Sequence, residues 1–134
     1  MELAANLGRL VLRLTLGGLL LLHGVAKLEH GVSGIVERVA STGLPPALGY
    51  LVYAGEVLAP VLLILGLWTR AAALLAAVNM VVAVLLAHTS QLGELSRAGG
   101  WALELQAFYF FTAVAVMLLG AGRFSLGGAK GRLN

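Results

Sequence analysis

Glu56 stands alone in a long apolar stretch, with 17 uncharged residues before it and 13 after it. A solitary charge at mid-membrane depth costs on the order of 2.5–3.5 kcal/mol by insertion scales, so it needs a partner or a purpose. Four residues on comes Pro60. A helical proline has no N–H to give the carbonyl four residues back, which here is the carbonyl of Glu56. Carboxylate and orphaned carbonyl therefore share one helical turn, where a kink is expected. Irregular polar backbone at such depth is tolerated only against protein or a water-lined cavity. Gly49, Val52 and Tyr53 continue the same face towards the nearer end of the segment. Ligand binding, proton handling and structural pairing with an Arg or a hydroxyl are the three uses open to Glu56. Arg13 is one partner it could have.

Other polar side chains gather at the same depth or above it. His23 and Lys27 are i, i+4 neighbours on one helical face. His88 closes a later apolar run, and Glu104 opens the last one with Phe108 and Phe111 below it. Two imidazoles, two carboxylates and an ammonium beside aromatic rings suit a polar pocket for a small ligand. His23, His88 and Glu56 would supply protons as the catalytic groups, while Lys27, Tyr53, Glu104, Phe108 and Phe111 would bind the ligand. Each also has a plainer role: Lys27 can snorkel, His88 can cap a helix end, and Glu104 suits a first turn. No HExxH or ExxH spacing supports a metal, and none is expected. Asn79 shares a face with Ala72, Ala76 and Ala83, and at 100° per residue it is turned about 180° from His88. It reads as a tight helix–helix contact, and Gly17, Gly18 and Gly24 read as close-packing positions.

The elements that must hold these groups follow from composition. Of 134 residues, 60% are hydrophobic and 11% charged, with a mean hydropathy of +0.95. A soluble globule uses about 25% charged residues, and a disordered chain is polar, so both classes are excluded. With no Cys, thiol redox chemistry, thiolate metal sites and disulfides are excluded for this polypeptide. The net charge of +3, in so apolar a chain, speaks for membrane orientation and against nucleic acid.

Crossing about 30 Å of hydrocarbon takes roughly 20 apolar helical residues. Charge-free runs at 14–26, 39–55, 57–69, 71–93 and 105–122 resolve into spans near 7–28, 47–68, 70–88 and 103–119. The expected fold is all-α: a polytopic membrane protein, a four-transmembrane-helix bundle in one domain over 1–134. The first span lacks the small residue at −3 that signal cleavage wants, and is read as retained. Six basic residues (Arg9, Arg13, Arg70, Arg123, Lys130, Arg132) fall on one side and three (Lys27, Arg38, Arg97) on the other. The excess places both termini in the cytoplasm. Val32, Ile35, Val36, Val39 and Ala40 form the apolar stripe of a short amphipathic helix between the first two spans, a lid lying in the interface. The loop from His88 to Gly100 reads as flexible, and 120–134 as a Gly-rich basic cytoplasmic tail.

The chain resembles the DoxX family of small bacterial membrane proteins from about Arg9 to Leu126. The resemblance rests on Arg13 with Gly17, His23-Gly24, Lys27-Leu28, Glu56, Leu65-Gly66-Leu67, Thr69-Arg70, Met80, Ala83, His88, Glu104 and Gly122-Arg123-Phe124-Ser125-Leu126. It departs at Gly127, where the family often carries Asp. The resemblance implies four helices in the bacterial inner (plasma) membrane. Some relatives are subunits of a thiosulfate:quinone oxidoreductase, others belong to oxidative-stress complexes, and distant eukaryotic ones serve as cargo receptors or receptor-assembly chaperones. The expected function is a membrane component of a redox or oxidative-stress complex, binding quinone or a similar amphiphile in an outward-facing cavity at Glu56. No cofactor is certain and quinone is the one considered. Lacking a flavin motif, the chain needs a soluble or membrane redox partner to bring electrons. Alternatives are a noncatalytic adaptor or assembly factor and a carrier of protons or a small acid.

Overall fold

The computed structural model describes residues 2–134, and among them every regular element is helical. Helix α1 runs Leu3–His30, and α2 is Ser33–Ser41. Helix α3 is continuous over Pro46–Leu65, α4 over Thr69–Gln91, and α5 covers Glu104–Leu119. Helices α1, α3 and α4 are long and apolar enough to cross a membrane. Helix α5 has 16 residues, or roughly 24 Å at 1.5 Å per residue. Helix α3 stops at Leu65, three residues short of the expected span end, because Gly66 takes a left-handed φ of 74°. The N–H groups of Gly66 and Leu67 both return to the Leu62 carbonyl, closing the helix end.

Small side chains set how closely the helices approach. Ala72, Ala73, Ala76 and Ala77 form a buried seam on α4, against which α5 lays Ala113 and Val116. On α1, Leu16 and Leu20 meet Ala59 and Leu63 of α3. Gly17 and Gly24 lie on that same face: a Cβ at Gly17 would crowd Ile64 and the Pro60 carbonyl, and one at Gly24 would overlap the carbonyl of Glu56. Gly18 faces open space, so the close-packing expectation holds for two of the three glycines.

At the end of the bundle that carries both termini, here the base, arginines cap helix ends. The Arg13 guanidinium is buried and donates to the carbonyls of Leu63 (2.8 Å), Ile64 (3.2 Å), Ala121 (3.1 Å) and Phe124. Arg70 donates to Met117 and Leu118, and Arg9 to Leu119. A cation at a helix C-terminus satisfies carbonyls that have no intrahelical partner and opposes the dipole. The Gly-rich basic segment after α5 folds back beneath the bundle. Leu126 and Gly127 donate to Leu65 and Gly66, and Arg70 N–H to Leu133. The buried Asn134 side chain accepts from Thr69 N–H and its hydroxyl, at 3.0 and 2.9 Å.

The opposite end, the mouth, is also more ordered than its composition suggests. The loop expected to be flexible is closed by a bridge between Leu95 and Trp101, with the Trp101 indole N–H donating to Leu92 at 2.8 Å. Helix α2 buries Val39 and lies so close to the start of α3 that a Cβ at Gly49 would meet the Val36 backbone.

Candidate functional site

Both α3 and α4 depart from α-helical winding where they face the mouth. In α3 the stretch Ala54–Leu58 is a π-turn, its Ala59 N–H reaching back five residues to Ala54. In α4 the stretch Val84–His88 is another. Such wide turns interrupt the regular ladder and are frequent at functional sites. Pro60 explains the first, since it withholds the N–H that an α-turn at Glu56 requires. Gly24 explains how the freed carbonyl fits: with no side chain there, α1 lies directly against it.

Between these helices, under α2, is a cavity of about 830 Å³, within the range of small-molecule sites. Its wall takes His23 and Lys27 from α1, Val39 from α2, Glu56 from α3, Asn79 and His88 from α4, and Gln106 and Tyr109 from α5. The Glu56 carboxylate is paired with Lys27, whose Nζ donates to Oε1 at 2.8 Å; their side chains are 7% and 25% exposed. Arg13 is not its partner. Fourteen residues separate Arg13 from Lys27 on one helix, roughly 21 Å, and the guanidinium is engaged at the base.

The sequence-derived candidates divide between the cavity and its surroundings. His23 lines the cavity and meets the Tyr109 ring edge to face, centroids 5.8 Å apart. His88 lines the rim with Nδ1 2.9 Å from Gln91 Oε1. Tyr53 is outside the lining; its hydroxyl donates to the Lys27 carbonyl at 3.2 Å and steadies that end of α1. Glu104 is exposed and lies against Gly100. Phe108 and Phe111 are 74% and 66% exposed and face away from the bundle. Once α5 begins at Glu104, residues 104, 108 and 111 share its outer stripe, while Gln106, Tyr109, Ala113 and Val116 take the inner one. The ring that faces the cavity is therefore Tyr109.

Asn79 corrects the sequence reading in part. Its side chain does make the expected tight contact, against Gly55. Yet it lines the same cavity as His88, because the intervening π-turn winds each residue through less than 100°. Asn79 Nδ2 and Gln106 Oε1 are, among the described residues, the buried side-chain polar atoms without a hydrogen-bond partner. Gln106 had no sequence signal beyond being an amide inside an apolar run.

Fold and site together define a helical membrane protein with a largely apolar cavity at one end that holds a buried ion pair. The chain belongs to the DoxX family, whose profile matches residues 8–89. That match takes in Lys27, Glu56, Asn79 and His88 and ends before α5. A protein of Bacillus subtilis (strain 168) named "Putative oxidoreductase CatD" is 32% identical over 85 residues, 63% of each chain. The aligned part is thus under two thirds of that relative's length. No solved structure matches.

Proposed function

We propose that this protein is a redox-associated component of the bacterial inner membrane that binds a quinone or similar amphiphile in the cavity at Glu56. The observation that carries this reading is a buried, ion-paired carboxylate in the wall of a largely apolar cavity of about 830 Å³. Membership of the DoxX family and the name of the Bacillus relative support the redox association. The residues present suit such a group: His23 stands at the wall as a proton donor and Tyr109 as a ring neighbour. A bound quinone would supply two-electron chemistry, and electrons would arrive from a partner protein. Both termini face the cytoplasm in this reading, with the arginine-rich base inside and α5 completing a fourth crossing.

Purified protein extracted with organic solvent should yield a quinone. Calorimetric titration with decylbenzoquinone and its quinol should show binding of at least one, weakened about tenfold by Glu56→Gln or His23→Ala. An empty extract together with flat titrations for both forms would refute the proposal and leave the noncatalytic adaptor in its place.

A further inference from the structure

A second hollow lies at the base, on the outside of the bundle where α1 meets the end of α5. It is a groove of about 530 Å³ lined by Ala5, Gly8, Arg9, Val11, Leu12 and Leu119. Residues 5, 8, 9 and 12 fall on one helical face, and the two nearest the base, Ala5 and Gly8, are too small to fill it. A Cβ at Gly8 would meet nothing within 4 Å. Arg9 ties the two walls together: its Nε donates to the Leu119 carbonyl at 3.1 Å, and its Cδ lies 3.1 Å from where a Cβ at Gly122 would stand. The guanidinium is thereby fixed beside the end of α5. Six residues of α1 precede Arg9, roughly 9 Å of helix, so α1 projects past α5 and the groove is the corner between them. Helix α1 has 28 residues; at roughly 42 Å it exceeds the hydrocarbon thickness by about 12 Å. Its first turns therefore stand among lipid headgroups, with Val11 and Leu12 in the hydrocarbon. Charge at this end is nearly of one sign: the base carries six of the nine Lys and Arg residues and one of the six acids, Glu2. Arg123, next to Gly122, is exposed and stacks on the Phe124 ring at 4.9 Å.

We infer that this groove binds an anionic phospholipid, with its phosphate at the Arg9 guanidinium and an acyl chain along Val11, Leu12 and Leu119. The planar guanidinium suits phosphate oxygens, and basic pockets between transmembrane helices take anionic headgroups. A zwitterionic lipid offers the same phosphate but brings an ammonium, which the basic residues of the base repel. Free phosphate carries no apolar body to occupy the wall formed by Val11, Leu12 and Leu119. The site is separate from the cavity at Glu56 and does not depend on what that cavity binds.

The test equilibrates the full chain, in detergent, with equal amounts of dioleoylphosphatidylglycerol and dioleoylphosphatidylcholine, recovers it by gel filtration, and counts the bound lipids by mass spectrometry. The wild type should retain the anionic lipid about fivefold more than the zwitterionic one, the contribution of one basic residue near a membrane surface. Arg9→Gln should remove that preference. Gly8→Leu should remove it too, because the new side chain fills the groove. Leucine in place of an exposed helical glycine favours the helix, so this variant keeps the fold and decides the matter should Arg9→Gln fail to fold. Gly18→Leu, the same change on α1 outside the groove, should keep the wild-type ratio. Inorganic phosphate in excess should leave the bound lipid in place. Equal retention of the two lipids by the wild type overturns the assignment. So does a preference that survives Gly8→Leu or a folded Arg9→Gln, one that Gly18→Leu also loses, or displacement of the lipid by phosphate.

Discussion

Lys27 and Glu56 differ in exposure, and the difference predicts an asymmetry between two single substitutions. Lys27→Met would leave a carboxylate that is 7% exposed without its ion-pair partner. Breaking a buried pair in this way costs about 3–5 kcal/mol, because the remaining charge is uncompensated. The lower figure applies, since the cavity admits some solvent to one side of the pair. A loss of about 3 kcal/mol is a hundredfold or more in the unfolding equilibrium. Glu56→Gln leaves the ammonium instead, a quarter exposed on a flexible stem that can turn towards the mouth. Its cost should be nearer 1 kcal/mol, as for partly solvated pairs. Replacing both residues, Lys27→Met with Glu56→Leu, should recover most of the loss, since apolar replacements for a buried pair are often neutral or stabilising. Equilibrium unfolding from mixed micelles by added SDS reads all three variants. Equal losses for the two single variants, or a double variant as weak as their sum, would refute the claim that Glu56 is held in a low-dielectric wall.

Two further outcomes test how the helices are held. Gly24→Ala should lose about 1–3 kcal/mol, because the added methyl meets the Glu56 backbone carbonyl and no rotamer relieves it; Gly18→Ala, facing open space, should lose nothing in the same SDS titration. Arg13→Met removes the donor from four carbonyls, two at the end of α3 and two in the returning segment; charged hydrogen bonds being worth about 1.5–3 kcal/mol each, the loss should exceed that of Lys27→Met. It should also free the C-terminal segment, measured as faster tryptic cleavage after Arg123 and Lys130.

The helical class and the isolation of Glu56 inside an apolar helix were legible because both depend on where charges interrupt apolar runs, which is one-dimensional information. Which residues share a cavity depends on rotation about each helix axis, and that was legible only where the winding is regular. On α1 it is, and His23 and Lys27 share the cavity face that their i, i+4 spacing implies. On α4 a π-turn shifts the phase between Asn79 and His88, and nothing in Val84 to His88 announces it. On α5 the aromatic residues alone were a poor guide: three of the four rings from Phe108 to Phe111 are Phe and one is Tyr, and only the alanine seam of α4 decides which side turns inward. The return of the C-terminal segment beneath the bundle was not legible, because it rests on backbone hydrogen bonds to helix ends, which apolar content does not report.

The two ends of the bundle treat polar groups in opposite ways. At the base, helix carbonyls that end without partners receive Arg9, Arg13 and Arg70, and Asn134 is bonded through both of its side-chain polar atoms. At the mouth, the backbone is loosened twice into π-turns, and the unpartnered buried atoms of the described residues are both there. A chain whose polar groups served packing alone would satisfy them at both ends, as it does at the base. Parting the helices into a cavity around a buried ion pair is a stability cost with no structural return. A bound ligand would supply that return, so a molecule that fills the cavity should raise the stability of the folded state by mass action.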